Sequence, residues 1–175
     1  MKHNILKSLF ISLILVMGIS NAWGYTLYLY TGSFGSWNDS NAKFQVYTNK
    51  NINANSLGNN WYSFDVGTFT GTAYIKRMDS SNSNKWNEFS ASISSTNNIT
   101  RVTGWNTGVV TDGLYLAGDN WGDIGSWSTN DADGKMTISS GTIFTSKTFT
   151  GITASAHEFK IAFKSTWDNA IGHNG

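Results

Sequence analysis

The stretch Lys43-Phe44-Gln45-Val46-Tyr47 decides the fold class, because its apolar residues Phe44 and Val46 alternate with more polar neighbours. A period of two is typical of a half-buried β-strand. It recurs one strand later in Tyr62, Phe64 and Val66, and near the C-terminus in Phe159, Ile161 and Phe163. Segments rich in Gly, Asn, Ser and Asp separate such runs and predict turns at 36–41, 49–60, 79–84 and 128–134. Since no window after the first residues has a helical period, we predict an all-β fold of antiparallel β-sandwiches or partly open barrels.

The second half of the chain loosely repeats the first at a spacing of roughly 80 to 90 residues, the length of one small domain. The matching segments are Leu27-Tyr28-Leu29 and Leu114-Tyr115-Leu116, Phe34-Gly35-Ser36-Trp37 and Ile124-Gly125-Ser126-Trp127, and Phe69-Thr70-Gly71 and Phe149-Thr150-Gly151. Each copy also has a Lys followed by a Trp near its end. We therefore predict two tandem modules, at 23–108 and 109–175. They join near Gly104 to Gly113, although residues 105–108 could equally form the last turn of the first module.

Residues 1–22 have the features of a secretory signal peptide. Lys2 and Lys7 precede the apolar run from Leu9 to Met17, and small residues occupy the −3 and −1 positions of a cut after Ala22. The run is too short to be a good membrane span, and no other stretch is apolar enough to be one. We expect a secreted, extracellular or cell-surface protein without stable membrane insertion.

The composition argues against several kinds of partner. With 12 basic and 11 acidic residues, the chain lacks the concentrated positive charge that nucleic-acid binding requires. It has no cysteine, so each core depends on packing alone. We expect no nucleic acid and no cofactor.

Five of the eight tryptophans lie in or beside the predicted turns. They are Trp37, Trp86, Trp121, Trp127 and Trp167. Loops run over the surface, so an indole there either covers the end of a core or meets a ligand. We expect at least two of the five to be exposed as a patch that binds a partner. A pyranose fits such a patch, because an indole covers its C–H face while amide, carboxylate and ammonium groups bond its hydroxyls.

The second half resembles the starch-binding class of carbohydrate-binding modules and the related outer-surface starch-binding proteins. The resemblance is carried by Leu114-Tyr115-Leu116-Ala117-Gly118, Ile124-Gly125-Ser126-Trp127, His157-Glu158-Phe159-Lys160 and Trp167-Asp168-Asn169-Ala170-Ile171-Gly172. It implies an immunoglobulin-like sandwich whose α-glucan site has two tryptophan platforms flanked by hydrogen-bonding groups. Those residues are Trp127, Trp167, Lys160 and Asn169 here.

The first half is similar to another group of starch-binding modules, in its strands at Tyr28 to Tyr30, Ala42-Lys43-Phe44 and Tyr74-Ile75-Lys76-Arg77. By analogy with the second copy, Trp37, Lys76 and Trp86 are its candidate site. Members of the family usually continue past the last motif into a closing strand, whereas this sequence stops at Gly175. Either the second sandwich closes by another route, or the chain is a fragment whose missing C-terminal region could hold a catalytic domain.

The residues give little support to catalysis or to a metal site. Glycoside hydrolysis needs two facing carboxylates, and the two glutamates, Glu88 and Glu158, stand at non-equivalent positions of the repeat. The segment Asn130-Asp131-Ala132-Asp133-Gly134 is similar to half of a calcium loop but lacks the distal Glu, which favours a plain Asx-rich turn. We expect neither catalytic residues nor a bound metal.

The sequence therefore predicts a secreted, non-catalytic protein of two β-sandwich modules that binds polysaccharide by tryptophan stacking, preferably α-glucan. Two alternatives stay open: a structural or adhesive surface protein whose tryptophans are core, and the N-terminal, non-catalytic part of a secreted glycoside hydrolase. If the chain is such a polysaccharide-binding protein, a separate glycoside hydrolase could also be its partner.

Overall fold

The computed structural model describes residues 24–119, 127–136 and 158–167, together with the backbone of a strand at 171–173. These residues are nearly all β, which confirms the predicted fold class. The strands are β1 (Thr26–Tyr30), β2 (Lys43–Tyr47), β3 (Asn51–Asn53), β4 (Asn55–Gly58), β5 (Trp61–Asp65), β6 (Gly71–Met78), β7 (Lys85–Ile93), β8 (Ile99–Gly104), β9 (Thr107–Thr111), β10 (Leu114–Gly118), β11 (Phe159–Phe163) and β12 (Ile171–His173). Short 3-10 helices lie at Gly35–Trp37 and Ala132–Gly134.

The strands form three sheets. One has the order β4-β5-β1-β8-β9, the second β3-β2-β6-β7 and the third β10-β11-β12. All paired neighbours are antiparallel except β1 and β8, which run parallel. The first two sheets face each other as a sandwich, and their inward residues form one core: Leu27, Leu29, Phe64, Val66 and Val102 from the five-stranded sheet, and Phe44, Val46, Ala73, Ile75, Phe89, Ala91 and Ile93 from the four-stranded sheet. Burial of these apolar side chains is what holds the two sheets together.

The three-stranded sheet covers the outer face of the five-stranded sheet. A second apolar cluster joins Tyr28, Trp61 and Ile99 of the latter to Leu114, Leu116 and Phe163 of the former. The Phe163 ring lies 5.9 Å from the Trp61 ring. The described chain is thus three-layered, with the five-stranded sheet in the middle. This explains why β1 has apolar residues on both faces, where a strand at the surface would alternate.

The Asn- and Ser-rich segment 49–60, predicted to be turn, contains the two short strands β3 and β4. Both are short edge strands with mostly exposed side chains, and each has one large apolar residue, Ile52 and Leu57, which is too few to mark a hydrophobic period. A turn does follow them. Asn59 and Asn60, with φ of 49° and 64°, form the two-residue connection between β4 and β5. Asparagine tolerates this left-handed conformation and is favoured in such hairpins.

Strand β9 pairs with β8 through Val109, Val110 and Thr111, so the five-stranded sheet extends past the predicted module boundary between residues 108 and 109. Beyond it, the described residues of 114–173 form one sheet, and a second sandwich there remains a prediction. The signal peptide at 1–22, the repeat segments at 124–126 and 149–151, Trp121 and Asn169 lie outside the described residues.

Candidate functional site

Trp127 and Trp167, the predicted platforms of the second module, are in contact. Their ring centroids are 6.2 Å apart and the ring planes are inclined by 58°. Trp167 is 45% exposed and Trp127 is partly buried. We call this pair the Trp127 surface. Sequence positions 40 residues apart are thus brought together where a ligand can reach at least one ring.

Local backbone structure holds the two rings in place. Trp127 has a left-handed φ of 54°, and its backbone N–H donates to the carbonyl of Gly118 at the end of β10, at 3.1 Å. Trp167 follows β11 after a turn in which Ser165 also has positive φ. The Ser165 hydroxyl donates to Oδ1 of Asn130 at 2.7 Å, so it ties the loop after Trp127 to the turn before Trp167.

Lys160 lies in the middle of β11 and pairs with Ala117 and Gly172. Successive residues of a strand point to opposite faces, so Lys160 is on the face opposite Phe159 and Ile161, which pack against the second cluster. Among the described residues it forms no ion pair and no cation–π contact with either indole. Its role beside the Trp127 surface stays a prediction.

Trp37 is not a platform, which corrects the analogy with Trp127. It is fully buried, ends the 3-10 helix at 35–37 and stacks on Phe44 with centroids 6.0 Å apart. Its indole N–H donates to the carbonyl of Trp105 at 3.1 Å. Trp37 therefore closes one end of the sandwich core and cannot present its ring to a ligand.

Lys76 and Trp86 are also separate, although we predicted them in one site. The Lys76 ammonium donates to Oδ1 of Asn51 at 3.1 Å and lies 4.9 Å from the Tyr47 ring, on the outer face of the four-stranded sheet. Trp86 contacts Arg77, whose guanidinium is 4.6 Å from its ring centroid. Adjacent residues of a strand point to opposite faces, so Lys76 lies on a different face of the sheet from Arg77 and the Trp86 ring that Arg77 contacts.

Trp86 is 42% exposed, as expected for a ring in a turn region, but it belongs to β7. The pairing of β6 with β7 shifts from Arg77 opposite Asn87 to Met78 opposite Lys85, which leaves Trp86 in a β-bulge. A bulge bends the strand and re-aims the extra side chain. Trp86 and Trp167 are both exposed, so at least two of the five tryptophans do face solvent, but Trp86 contacts Arg77 and Trp167 contacts Trp127, and the predicted common patch that binds a partner stays a prediction.

Trp105 was missed as a site residue because we treated its segment as a module joint. It lies with Asn106 in the two-residue loop between β8 and β9 and is 52% exposed. The sequence does contain a signal, since two short runs rich in Val, Ile and Thr flank a short loop beside Gly104. We define the Trp86 surface as Trp86, Trp105, Arg77 and Asn106.

Several charged residues form ordinary ion pairs. Glu88 pairs with Lys85 at 3.1 Å, and Asp112 accepts from Lys135 at 3.0 Å and from Lys164 at 3.3 Å. Burial raises the pKa of Asp112, but the hydrogen bonds from both lysines outweigh it and hold this pKa below its ordinary value. Open hollows of about 400 and 490 Å³ flank Asp112, and no aromatic residue of the described chain lines them.

The predicted Asx turn at 130–134 is confirmed, because Oδ1 of Asp131 accepts the backbone N–H of Asp133 at 3.0 Å. Within the described ranges no group of three or more His, Asp or Glu residues is placed to hold a metal ion. In the same part of the chain no helix has the length and hydrophobicity to cross a lipid bilayer.

Comparisons with protein-family models, with curated proteins and with solved structures found no match to this chain.

Proposed function

We propose that this chain is an exported, non-catalytic polysaccharide-binding protein that prefers α-glucan. The observation that carries the proposal is the contact between Trp127 and Trp167, with centroids 6.2 Å apart and Trp167 45% exposed. A large aromatic ring that is half exposed leaves apolar surface in water, and a partner that covers it gains free energy.

The expected affinity is modest. If each ring removes roughly 100 Å² of apolar surface from water, it contributes about 2.5 kcal/mol at about 25 cal/mol/Å². Two rings give about 5 kcal/mol before ordering costs, which corresponds to a dissociation constant of about 0.2 mM, and the ordering costs weaken it to about 1 mM or more. Such affinity suits a polymer, whose many units rebind after each dissociation.

The inclination of the rings supports a bent chain over a flat one. Planes at 58° cannot both lie flat on one extended ribbon, such as a β-1,4-linked glucan. A chain that curves as it passes can turn an apolar face to each ring in succession. The ring geometry therefore favours an α-glucan independently of the sequence resemblance.

The test is retention of the exported chain on insoluble starch, cellulose, chitin and xylan side by side. Trp167→Ala and Trp127→Asn each remove one ring, and asparagine accepts the positive φ at position 127 without added strain. Tyr74→Ala is the matched control, because Tyr74 is a similarly exposed aromatic residue on the outer face of the four-stranded sheet.

We expect the parent and Tyr74→Ala to be retained on starch and the two tryptophan variants to elute earlier, with unfolding curves that match the parent. If the parent is retained on none of the four polymers, the proposal fails, and the alternative of a structural or adhesive surface protein is favoured. If the folded tryptophan variants are retained like the parent, the assignment of the Trp127 surface is wrong.

A further inference from the structure

Two half-exposed indoles lie close together on the first sandwich, away from the Trp127 surface in sequence and in sheet. Trp86 comes from the bulge of β7, an edge strand of the four-stranded sheet. Trp105 comes from the tip of the hairpin of β8 and β9, at the edge of the five-stranded sheet. These edges meet because β7 and β9 are in contact. One ring from each sheet therefore reaches the same end of the sandwich.

Arg77 holds the two rings from the protein side. Its guanidinium carbon lies 4.6 Å from the Trp86 centroid and 5.9 Å from the Trp105 centroid, so the rings are no further apart than these distances together. Arg77 is only 7% exposed, and its Nη1 donates to Oδ1 of Asn87 at 3.3 Å. Phe34 meets the Trp105 ring edge-on at 5.4 Å. A buried cation and an aromatic edge thus back the two rings and reduce their freedom before any ligand arrives.

Several donors at this surface have no described acceptor. The indole N–H groups of Trp86 and Trp105 bond to no residue that the structure describes, and neither does the amide N–H₂ of Asn106. The Asn106 side chain is nevertheless held, since its Oδ1 accepts from the Asn87 amide and the Glu88 backbone N–H at 3.4 and 3.3 Å. Flat apolar faces bordered by oriented donors complement a ligand with C–H faces and a rim of hydroxyl acceptors.

We infer that Trp86 and Trp105 form a second glycan-binding site, which takes pyranose units of a neutral polysaccharide. This inference rests on the proposed function. Neutrality follows from the charges: the Arg77 cation is covered by the two rings, and the exposed carboxylate of Asp39, 3.9 Å from its Nη2, would repel an anionic sugar. Arg77 is a positioning residue here, not a contact of the ligand.

A second site changes how the chain meets a polymer. Two weak sites on one chain bind one polysaccharide with the second contact made at high effective concentration. A long polymer should therefore be held more tightly than a short oligosaccharide, and loss of either site should weaken binding to the polymer by about tenfold or more.

The test uses the indole N–H resonances of the full ¹⁵N-labelled chain, titrated separately with maltoheptaose, cellohexaose, chitohexaose and xylohexaose. Trp86→Phe and Trp105→Phe assign the two resonances by their disappearance. Affinity for soluble starch is then compared for the parent, Trp105→Ala, Trp167→Ala, the double variant and the Tyr74→Ala control, at about 50 and 500 mM salt.

The inference predicts that one sugar shifts the Trp86 and Trp105 resonances saturably, in the parent and in Trp167→Ala alike. The affinity for soluble starch should change little between the two salt concentrations. Starch affinity should fall in both single variants and vanish in the double variant. If Trp105→Ala binds like the parent while Trp167→Ala does not, the second site is refuted and the proposed function stands. A response confined to Trp86 and Trp105 would keep this inference and refute the Trp127 surface. Binding that weakens steeply with salt refutes a neutral ligand, and no response to any of the four sugars overturns both proposals.

Discussion

Replacing Gly108 by alanine is expected to destabilise the sandwich, because the ring of Phe89 occupies the space that a side chain would need. A Cβ at Gly108 would lie 2.9 Å from Cδ2 of Phe89 and closer still to Cε2 and Cζ. Phe89 cannot move aside freely, since it is buried and its ring packs against Trp37 with centroids 5.6 Å apart. Gly108 does not have a positive φ, so the expected effect is steric and not conformational.

The magnitude follows from the cost of inserting a methyl group into a packed core, about 1–3 kcal/mol. For a chain of this length, each kcal/mol lowers the midpoint of thermal unfolding by roughly 2–4 °C. Gly35→Ala is the matched control: a Cβ there meets nothing within 4 Å, and its φ is not positive either. This control should be neutral, or more stable by up to about 1 kcal/mol because alanine restricts the unfolded chain.

The assay is thermal and urea unfolding of the two variants and the parent, followed by circular dichroism. If Gly108→Ala unfolds at the same midpoint as Gly35→Ala, then β7 and β9 do not approach as closely as the structure has them. In that case the convergence of Trp86 and Trp105 at one end of the sandwich would lose its support as well.

Three further results are expected from single substitutions. Trp37→Ala should lower the free energy of unfolding by about 3–5 kcal/mol in urea titrations, because it empties a fully buried site; a loss below about 1 kcal/mol would contradict a core role. Asp112→Asn should flatten the acid side of the plot of melting temperature against pH. Burial raises the pKa of Asp112, but hydrogen bonds from Lys135 and Lys164 outweigh burial and lower this pKa in the folded state. The ionised Asp112 therefore stabilises the fold above the unfolded-state pKa, and this stabilisation is lost as the pH falls through the lower folded-state pKa. Asp79→Asn should also flatten the acid side of this plot, because hydrogen bonds hold the pKa of Asp79 at about 2 and the backbone N–H of Ser83 makes the largest contribution; an unchanged profile would show that these bonds do not persist in solution.

The family resemblance and the repeat in the sequence predicted some features of the candidate site and misled on others. Trp127 and Trp167 do meet, and Trp86 is exposed. Trp37 and Trp127 both follow a Gly-Ser pair in the repeat. Trp37, however, ends a 3-10 helix that closes one end of the sandwich core, whereas Trp127 lies in a turn and has a positive φ. A shared dipeptide cannot specify which of these two conformations the chain takes, because neighbouring packing selects between them.

The Trp86 surface could be predicted from the sequence only in part. Strand parity already puts Lys76 and Arg77 on opposite faces, so the sequence could have directed attention to Arg77. It could not reveal the bulge that leaves Trp86 unpaired, because the shift depends on the register between β6 and β7. Nor could it reveal that the hairpin carrying Trp105 comes to lie beside Trp86.

By itself, the sequence determined that the described chain is β-structure, since alternation of apolar and polar residues is a local property and strand geometry converts it directly into two faces. Only the tertiary structure decided which aromatic rings are covered. Trp61 lies on the outer face of its sheet, as its strand position indicates, but it is buried because Phe163 packs against it from a strand about a hundred residues further along the chain. Solvent exposure is set by what the rest of the fold brings to a residue, so the residues open to a ligand could be identified only after the three sheets had been assembled.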